Sequence, residues 1–159
     1  MNKNFYTIRT VRVTDIPFLP EFFKTVADEP LQHVSDALWR AFIDALPDTF
    51  LAAEDTNTST LIGLCLCIPY KITATIFMIF VLPQYRQKGV GVSLLERICR
   101  TVHGIGCDDV LLYIPPERTD AIKWAERNLF TLAEHLPDYL CSDPPVPMLL
   151  YTRSIATCS

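Results

Sequence analysis

The sequence predicts an α/β fold in which short apolar strands alternate with amphipathic helices. The stretch from Thr73 to Arg100 reads in succession as a strand, a glycine-containing turn and a helix. Runs rich in β-branched and aliphatic residues, Leu61 to Ile68 and Val110 to Ile114, have the length and composition of buried strands. Elsewhere apolar residues recur at three- and four-residue spacing, the pattern of helices that bury one face.

Tyr6 to Val13 alternates, with Ile8, Val11 and Val13 facing inward, and predicts a first strand. Thr14 or Asp15 can cap a helix, and Pro17 suits its first turn. A helix is therefore expected through Phe18, Phe22, Phe23 and Val26, broken at Glu29-Pro30. Ser35 caps a second helix, with Leu38, Phe42 and Leu46 on one face, ending at Leu46-Pro47. Phe50 to Ala53 is strand-like, and Glu54-Asp55-Thr56-Asn57-Thr58 forms a polar hairpin turn. Leu61 to Ile68 and Thr73 to Val81 follow as strands, joined by a turn at Pro69 to Lys71. Pro83 ends the second of them, having no N–H to give a ladder. After the glycine turn, Val92, Leu94, Leu95, Ile98 and Cys99 form the apolar face of a helix that stops near His103-Gly104. Val110 to Ile114 is closed by Pro115-Pro116. Glu117 or Thr119 then opens a helix through Ala121, Ile122, Trp124, Ala125 and Leu129. Strands near Phe130 to Ala133 and Met148 to Thr152 finish the sheet, and Leu136 to Pro147 between them is proline-rich and irregular.

Composition narrows the function classes. At 159 residues, half of them hydrophobic and 20% charged, residues 1–159 are expected to form one ordered domain, with no repeat or linker. A net charge of −4 argues against nucleic acid, whose partners normally carry a basic face, and is compatible with a cationic or amine substrate. The longest apolar runs, Leu61 to Pro69 and Ile76 to Pro83, are far short of the roughly 20 residues that span a bilayer. Met1-Asn2-Lys3-Asn4 lacks a signal-peptide core, so no membrane association and a cytoplasmic location are expected. Cys65 and Cys67 share one face of a strand. Cys99, Cys107, Cys141 and Cys158 show no CxxC pairing and no histidine at zinc spacing. All six are read as small buried apolar residues, with no metal site.

The glycine turn has a physical use. Gly89 and Gly91 remove Cβ atoms where the chain bends, so a ligand can approach the backbone closely. The first N–H groups of the following helix lack intrahelical partners and sit at the positive end of its dipole. Together they suit a phosphate or pyrophosphate, with Arg86 and Lys88 adding positive charge. The plainer alternative is a tight turn with two basic residues facing water, and the glycines alone do not separate the two. A Walker loop is excluded by its spacing, and a dinucleotide fingerprint by Leu94 where a third glycine belongs.

Arg86-Gln87-Lys88-Gly89-Val90-Gly91 resembles the Arg/Gln-x-x-Gly-x-Gly/Ala signature of the GNAT superfamily of N-acetyltransferases. Val81-Leu82-Pro83-Gln84-Tyr85-Arg86 is similar to its Val-x-Pro-x-Tyr-Arg lead-in, and the likeness continues through Leu94-Leu95. The opening Ile8-Arg9 … Val13-Thr14-Asp15-Ile16 is similar to the beginning of many members. The resemblance implies a mixed, mostly antiparallel sheet of six to seven strands flanked by about four helices. It also implies that acetyl-coenzyme A lies in a wedge between Ile76–Val81 and Val110–Ile114, held by Phe80, Val81, Arg86, Gln87, Lys88, Gly89, Val90, Gly91 and Arg118. Acetyl-coenzyme A and an amine acceptor that the sequence does not identify are the partners expected, with a homodimer left open.

Family chemistry is attack of a neutral amine on the thioester. It uses a backbone N–H for the oxyanion, mapping near Val81, a base for the ammonium proton and an acid for the thiolate. The base is often acidic and late in the strand entering the loop, yet Ile76 to Val81 has no titratable side chain. The family's asparagine, tyrosine and glycine positions near the last helix fall on Arg118, Ala125 and Leu129. Glu117 and Tyr113 are the substitute catalytic candidates: a glutamate at a helix start, where the dipole alone would favour it, and a tyrosine that alternates out of the Val110, Leu112, Ile114 set. Tyr139 could border the acceptor pocket, while His33 and Trp124 are more simply a surface histidine and a core tryptophan. A positioned acid or base contributes about 10²–10⁴-fold. Two functions therefore stand: N-acetyl transfer to a primary amine on a small molecule or protein, or a cofactor-binding sensor or scaffold with weak or no turnover.

Overall fold

The computed structural model describes residues 5–26 and 29–156. The expected lack of a leader at residues 1–4 and the expected burial of Cys158 lie outside the described residues. In chain order the elements are β1 (Tyr6–Thr10), α1 (Leu19–Val26), α2 (Glu29–Gln32), α3 (Asp36–Ala45), β2 (Phe50–Asp55), β3 (Leu61–Tyr70) and β4 (Thr73–Val81). Then come α4 (Val90–Gly104), β5 (Asp109–Ile114), α5 (Thr119–Arg127), β6 (Thr131–Leu136) and β7 (Met148–Ser154).

The seven strands follow the order β1-β2-β3-β4-β5-β7-β6. Pairs β1–β2, β2–β3, β5–β7 and β6–β7 are antiparallel. β3 and β4 are neighbours joined only by Lys71 and Ile72, a connection that antiparallel strands alone can use. One pair is parallel: β4 and β5, in register from Thr73↔Asp109 to Ile76↔Leu112. This is the mixed, mostly antiparallel sheet that the resemblance implies. Among the described residues no helix is long and apolar enough to cross a membrane.

The chain groups into two compact units, Met1–Ile68 with Met78–Thr101, and Pro69–Phe77 with Val102–Ser159. In the first, Trp39 stacks on Phe23 at 5.3 Å, and Ile16, Leu19, Phe50, Leu64 and Leu66 close around them. The helical stripes run Leu19, Phe22, Phe23, Val26 in α1 and Trp39, Phe42, Ile43, Leu46 at α3, each at the i, i+3, i+4, i+7 spacing of one buried face. Phe18 and Leu38, expected inside, are 65% and 47% exposed, because each lies one position before the stripe that packs. Val92 of α4 is likewise exposed, and Val90 is buried in its place.

Local hydrogen bonds explain the other shifts. β1 stops at Thr10, and Val13 faces water. The Asp15 carboxylate accepts the Arg12 N–H at 2.7 Å and turns the chain into a short 3-10 segment, Val13–Phe18. Asp15 thus caps from inside the turn, while Ser35 caps α3 as expected, accepting the Leu38 N–H at 3.3 Å. β3 runs on through Pro69, and the turn is Lys71–Ile72, with Lys71 at φ 54°; two-residue hairpins need such left-handed backbone. α4 ends at Gly104 as expected, and the left-handed glycine that closes it is Gly106, φ 98°. There the N–H groups of Gly106 and Cys107 return to the carbonyls of His103 and Val102, the paired closure of a Schellman motif.

In the second unit Val110, Leu112 and Ile114 are buried, with Leu111 and Tyr113 half-buried on the other face of β5. α5 buries Ala125, and the Tyr151 hydroxyl donates to Glu126 of α5 at 3.3 Å. The helix ends at Arg127, short of the expected Leu129, which is exposed and sits at φ 68°. Of the described cysteines, Cys65, Cys67, Cys99 and Cys107 are buried as expected. Cys141 is exposed, because it lies in the irregular segment before β7 rather than on a packed element.

Candidate functional site

The glycine loop is built by alternating backbone conformations. Leu82 is extended, Pro83–Tyr85 makes a single 3-10 turn, and Arg86 is extended again. Gln87 then takes φ 59° and Gly89 φ 84°, and α4 begins at Val90. Two left-handed residues on either side of Lys88 fold the chain back sharply, and glycine adopts such a conformation without strain. The Ser93 N–H bonds to the Gly89 carbonyl at 3.0 Å as the first intrahelical bond, so the N–H groups of Val90, Gly91 and Val92 ahead of it have no acceptor within the helix. Arg86 and Lys88 are exposed beside them. Arg86 Nε donates to the Val81 carbonyl at 3.0 Å, and Lys88 Nζ lies 5.6 Å above the Tyr85 ring.

Four residues outside the motif shape this loop. The Tyr6 and Ser93 hydroxyls are 2.8 Å apart, tying β1 to the first turn of α4. Tyr85 Oη donates to Asp55 Oδ2 at 3.0 Å, tying the loop to the end of β2. Gly63, the third residue of β3, lies against the start of α4 and the end of β4: a Cβ there would stand 3.1 Å from Leu94 Cδ1 and 3.2 Å from both the Phe80 carbonyl oxygen and Val90 Cγ1. Sequence reasoning passes over these residues. Asp55 falls in the polar hairpin turn, Tyr6 only opens the first strand, and Ser93 lies among the apolar residues of the helix after the loop with no role assigned. Gly63 alone carries a signal, as a glycine inside an otherwise β-forming run.

The edge of β4 is also defined. Leu82 donates its N–H to the Ile62 carbonyl of β3 at 2.9 Å. Backbone groups alternate along a strand, so the Val81 N–H points away from β3. Phe80 and Val81 are both half-buried, and the Phe80 ring meets Phe23 at 6.2 Å.

The second unit holds the remaining candidates. It brings Tyr113 and Tyr139 together, ring centroids 4.8 Å apart. Burial first, then Tyr139 and Glu134, push the Tyr113 hydroxyl above its ordinary pKa. Glu117 is exposed ahead of α5, its carbonyl accepting the Thr119 N–H. Arg118 occupies the cap position of α5, and its guanidinium pairs with Asp120 at 3.2 Å, which holds the Asp120 carboxyl below its usual range. Ala125 is fully buried, so a larger side chain there meets packed interior. Trp124 is half-buried, and His33, in the first unit, is exposed.

A strand that ends in a proline turn, two left-handed residues and the start of a 15-residue helix follow one another in this α/β fold. A family model, the acetyltransferase (GNAT) family, matches residues 16–129. The chain belongs to the GNAT family of acetyltransferases. Its fold is similar to that of Ard1 from Thermoplasma volcanium, at TM-score 0.79 and 19% identity over 95% of this chain and 98% of that one. It is similar to the ribosomal-protein-S18-alanine N-acetyltransferase from Escherichia coli, at TM-score 0.73 and 19% identity over 97% and 96%. Arabidopsis thaliana Naa50 in complex with the bisubstrate analogue CoA-Ac-MVNAL matches at TM-score 0.75 and 19% identity over 95% and 99%. Such identities establish the fold. No curated protein matches in sequence.

Proposed function

We propose that the protein transfers the acetyl group of acetyl-coenzyme A to a primary amine on a small molecule or a protein. The observation that carries this reading is the loop itself: left-handed Gln87 and Gly89 lead into a 15-residue helix whose first N–H groups, those of Val90, Gly91 and Val92, have no acceptor within the helix. These would hold the pyrophosphate, with Arg86 and Lys88 supplying charge. The pantetheine would run along the β4 edge at Phe80 and Val81. There the outward Val81 N–H is directed to receive the charge that develops on the thioester oxygen. The solved complexes of family-fold proteins with coenzyme A, such as the Naa50 bisubstrate analogue, support this reading.

In the reaction the amine nitrogen forms a bond to the thioester carbon, the carbon–sulfur bond breaks, and sulfur leaves as thiolate. One proton leaves the attacking nitrogen and one reaches the sulfur. We assign the second role to Tyr113, whose phenol is protonated at neutral pH. Exposed Glu117 is the carboxylate we assign to the first, and Arg118 remains a cofactor contact through its guanidinium. The test is release of free thiol from acetyl-coenzyme A with a panel of small amines and peptide N-termini. Amine-dependent release is expected. Cofactor binding with no release above background for every amine would instead leave a binding module.

A further inference from the structure

We infer that Asp55 is a positioning residue of the acyl-coenzyme A site, acting on the glycine loop through Tyr85. The inference rests on the reading of that loop as the cofactor's phosphate site.

Asp55 closes β2 and is only 6% exposed. Its two carboxylate oxygens have separate tasks. Oδ1 accepts the N–H groups of Asn57 and Thr58, at 2.8 and 3.2 Å, and so fixes the β2–β3 turn. Oδ2 accepts the Tyr85 hydroxyl at 3.0 Å. The carboxylate is thus held by backbone on one side and holds the loop on the other.

Tyr85 stands in the 3-10 turn immediately before Arg86, and its ring is fixed on more than its hydroxyl end. Phe5 lies 6.1 Å away with the rings 20° apart, and the Lys88 ammonium lies 5.6 Å over the ring centroid. A phenol donating to a carboxylate is polarised toward phenolate, which strengthens the attraction of a cation to its face. Asp55, Tyr85 and Lys88 therefore form one chain from the hairpin turn to the anion site. Its physical use is preorganisation. A loop with left-handed residues at 87 and 89 has competing conformations, and binding is weakened by whatever ordering it must supply. Anchoring Tyr85 selects in advance the conformation that leads into the left-handed residues 87 and 89 and the start of α4.

The chemistry separates the variants. Tyr85→Phe keeps the ring and its packing but removes the hydroxyl. Asp55→Ala removes the acceptor for both turn and loop. Asp55→Asn keeps an oxygen for the turn and offers an amide N–H to the Tyr85 oxygen, so it restores the anchor without the charge. The experiment is calorimetric titration of wild type and the three variants with acetyl-coenzyme A, together with kcat and KM for thiol release. With wild type binding, Tyr85→Phe and Asp55→Ala are expected to raise Kd and KM for acetyl-coenzyme A about tenfold, the weight of one charge-assisted hydrogen bond. The value of kcat should stay within about twofold, as expected when ground-state and transition-state binding are lost equally. Asp55→Asn should recover about half of the loss on a logarithmic scale, about threefold in Kd, because a neutral hydrogen bond is about half as strong as a charge-assisted one. Wild type that binds, with folded Tyr85→Phe binding equally well, would overturn the inference. Loss of kcat alone in that variant would overturn it too. Wild type that does not bind acetyl-coenzyme A would overturn the reading of the loop beneath it.

Discussion

Gly63 shows how a single missing Cβ can shape a site from a neighbouring strand. Its nearest neighbours include a backbone atom, the Phe80 carbonyl oxygen, which cannot swing aside as a side-chain end can. Gly63→Ala should therefore cost about 1–3 kcal/mol, the usual penalty of overpacking, and displace the strand that leads into the loop. Chemical denaturation with a fitted midpoint checks the first effect, and an unchanged midpoint would show that β3 accommodates the methyl. Leu129 illustrates what a resemblance can reveal about one residue. It stands where the family has glycine, and its φ of 68° is the left-handed backbone that makes glycine the usual occupant. Gly63 and Asp55 were harder to read, because their importance depends on residues 17 or more positions away that only the folded chain brings near.

At the scale of elements, the sequence located every strand and the main helices, and the errors were of one to three residues at a boundary or stripe. Periodicity alone cannot choose between Leu38 and Trp39 as the first inward position of α3; the larger aromatic surface packs against Phe23, and that decides it. The end of β1 depends on a network that no pattern of hydropathy contains. Arg9 forks onto Asp15 at 2.7 and 2.8 Å and reaches Glu54 of β2 at 2.7 Å, fastening the 3-10 turn to the sheet. Burial would push the Asp15 pKa up, but Arg9 and the Arg12 N–H outweigh it and hold the carboxyl below its usual range. The same contacts raise Arg9, which stays charged throughout. A depressed carboxyl pKa contributes stability that is full above the unfolded value, about 3.9, and is lost as pH falls through the folded one. Asp15→Asn should lower stability at pH 7 by about 1–3 kcal/mol, discounted from a fully buried pair because Arg9 is partly exposed. The gap to wild type should close as pH falls below about 4, the unfolded value, and through the lower folded one. Denaturation midpoints across that range check it, and a gap independent of pH would assign the loss to packing.

For the molecule as a whole, one parallel pair in an otherwise antiparallel sheet sets the strand that feeds the loop, and the sequence announced that strand, turn and helix together. The loop proposed to hold the cofactor was legible as a turn between strand and helix because its chain geometry follows from proline and glycine. The catalytic half was not, because protons can be moved by any titratable group the fold happens to deliver, and Ile76 to Val81 offers none. Ala125, fully buried, offers none either. The central claim is that the loop from Gln87 to Gly91 holds the pyrophosphate of acetyl-coenzyme A. It is tested most directly by calorimetric titration of acetyl-coenzyme A into wild type and Gly89→Asp, with circular dichroism to confirm that both are folded. Saturable binding to wild type, lost in a folded Gly89→Asp through strain at φ 84° and repulsion of the phosphates, is the predicted result. Equal binding to both, or none to wild type at millimolar cofactor, would contradict the claim.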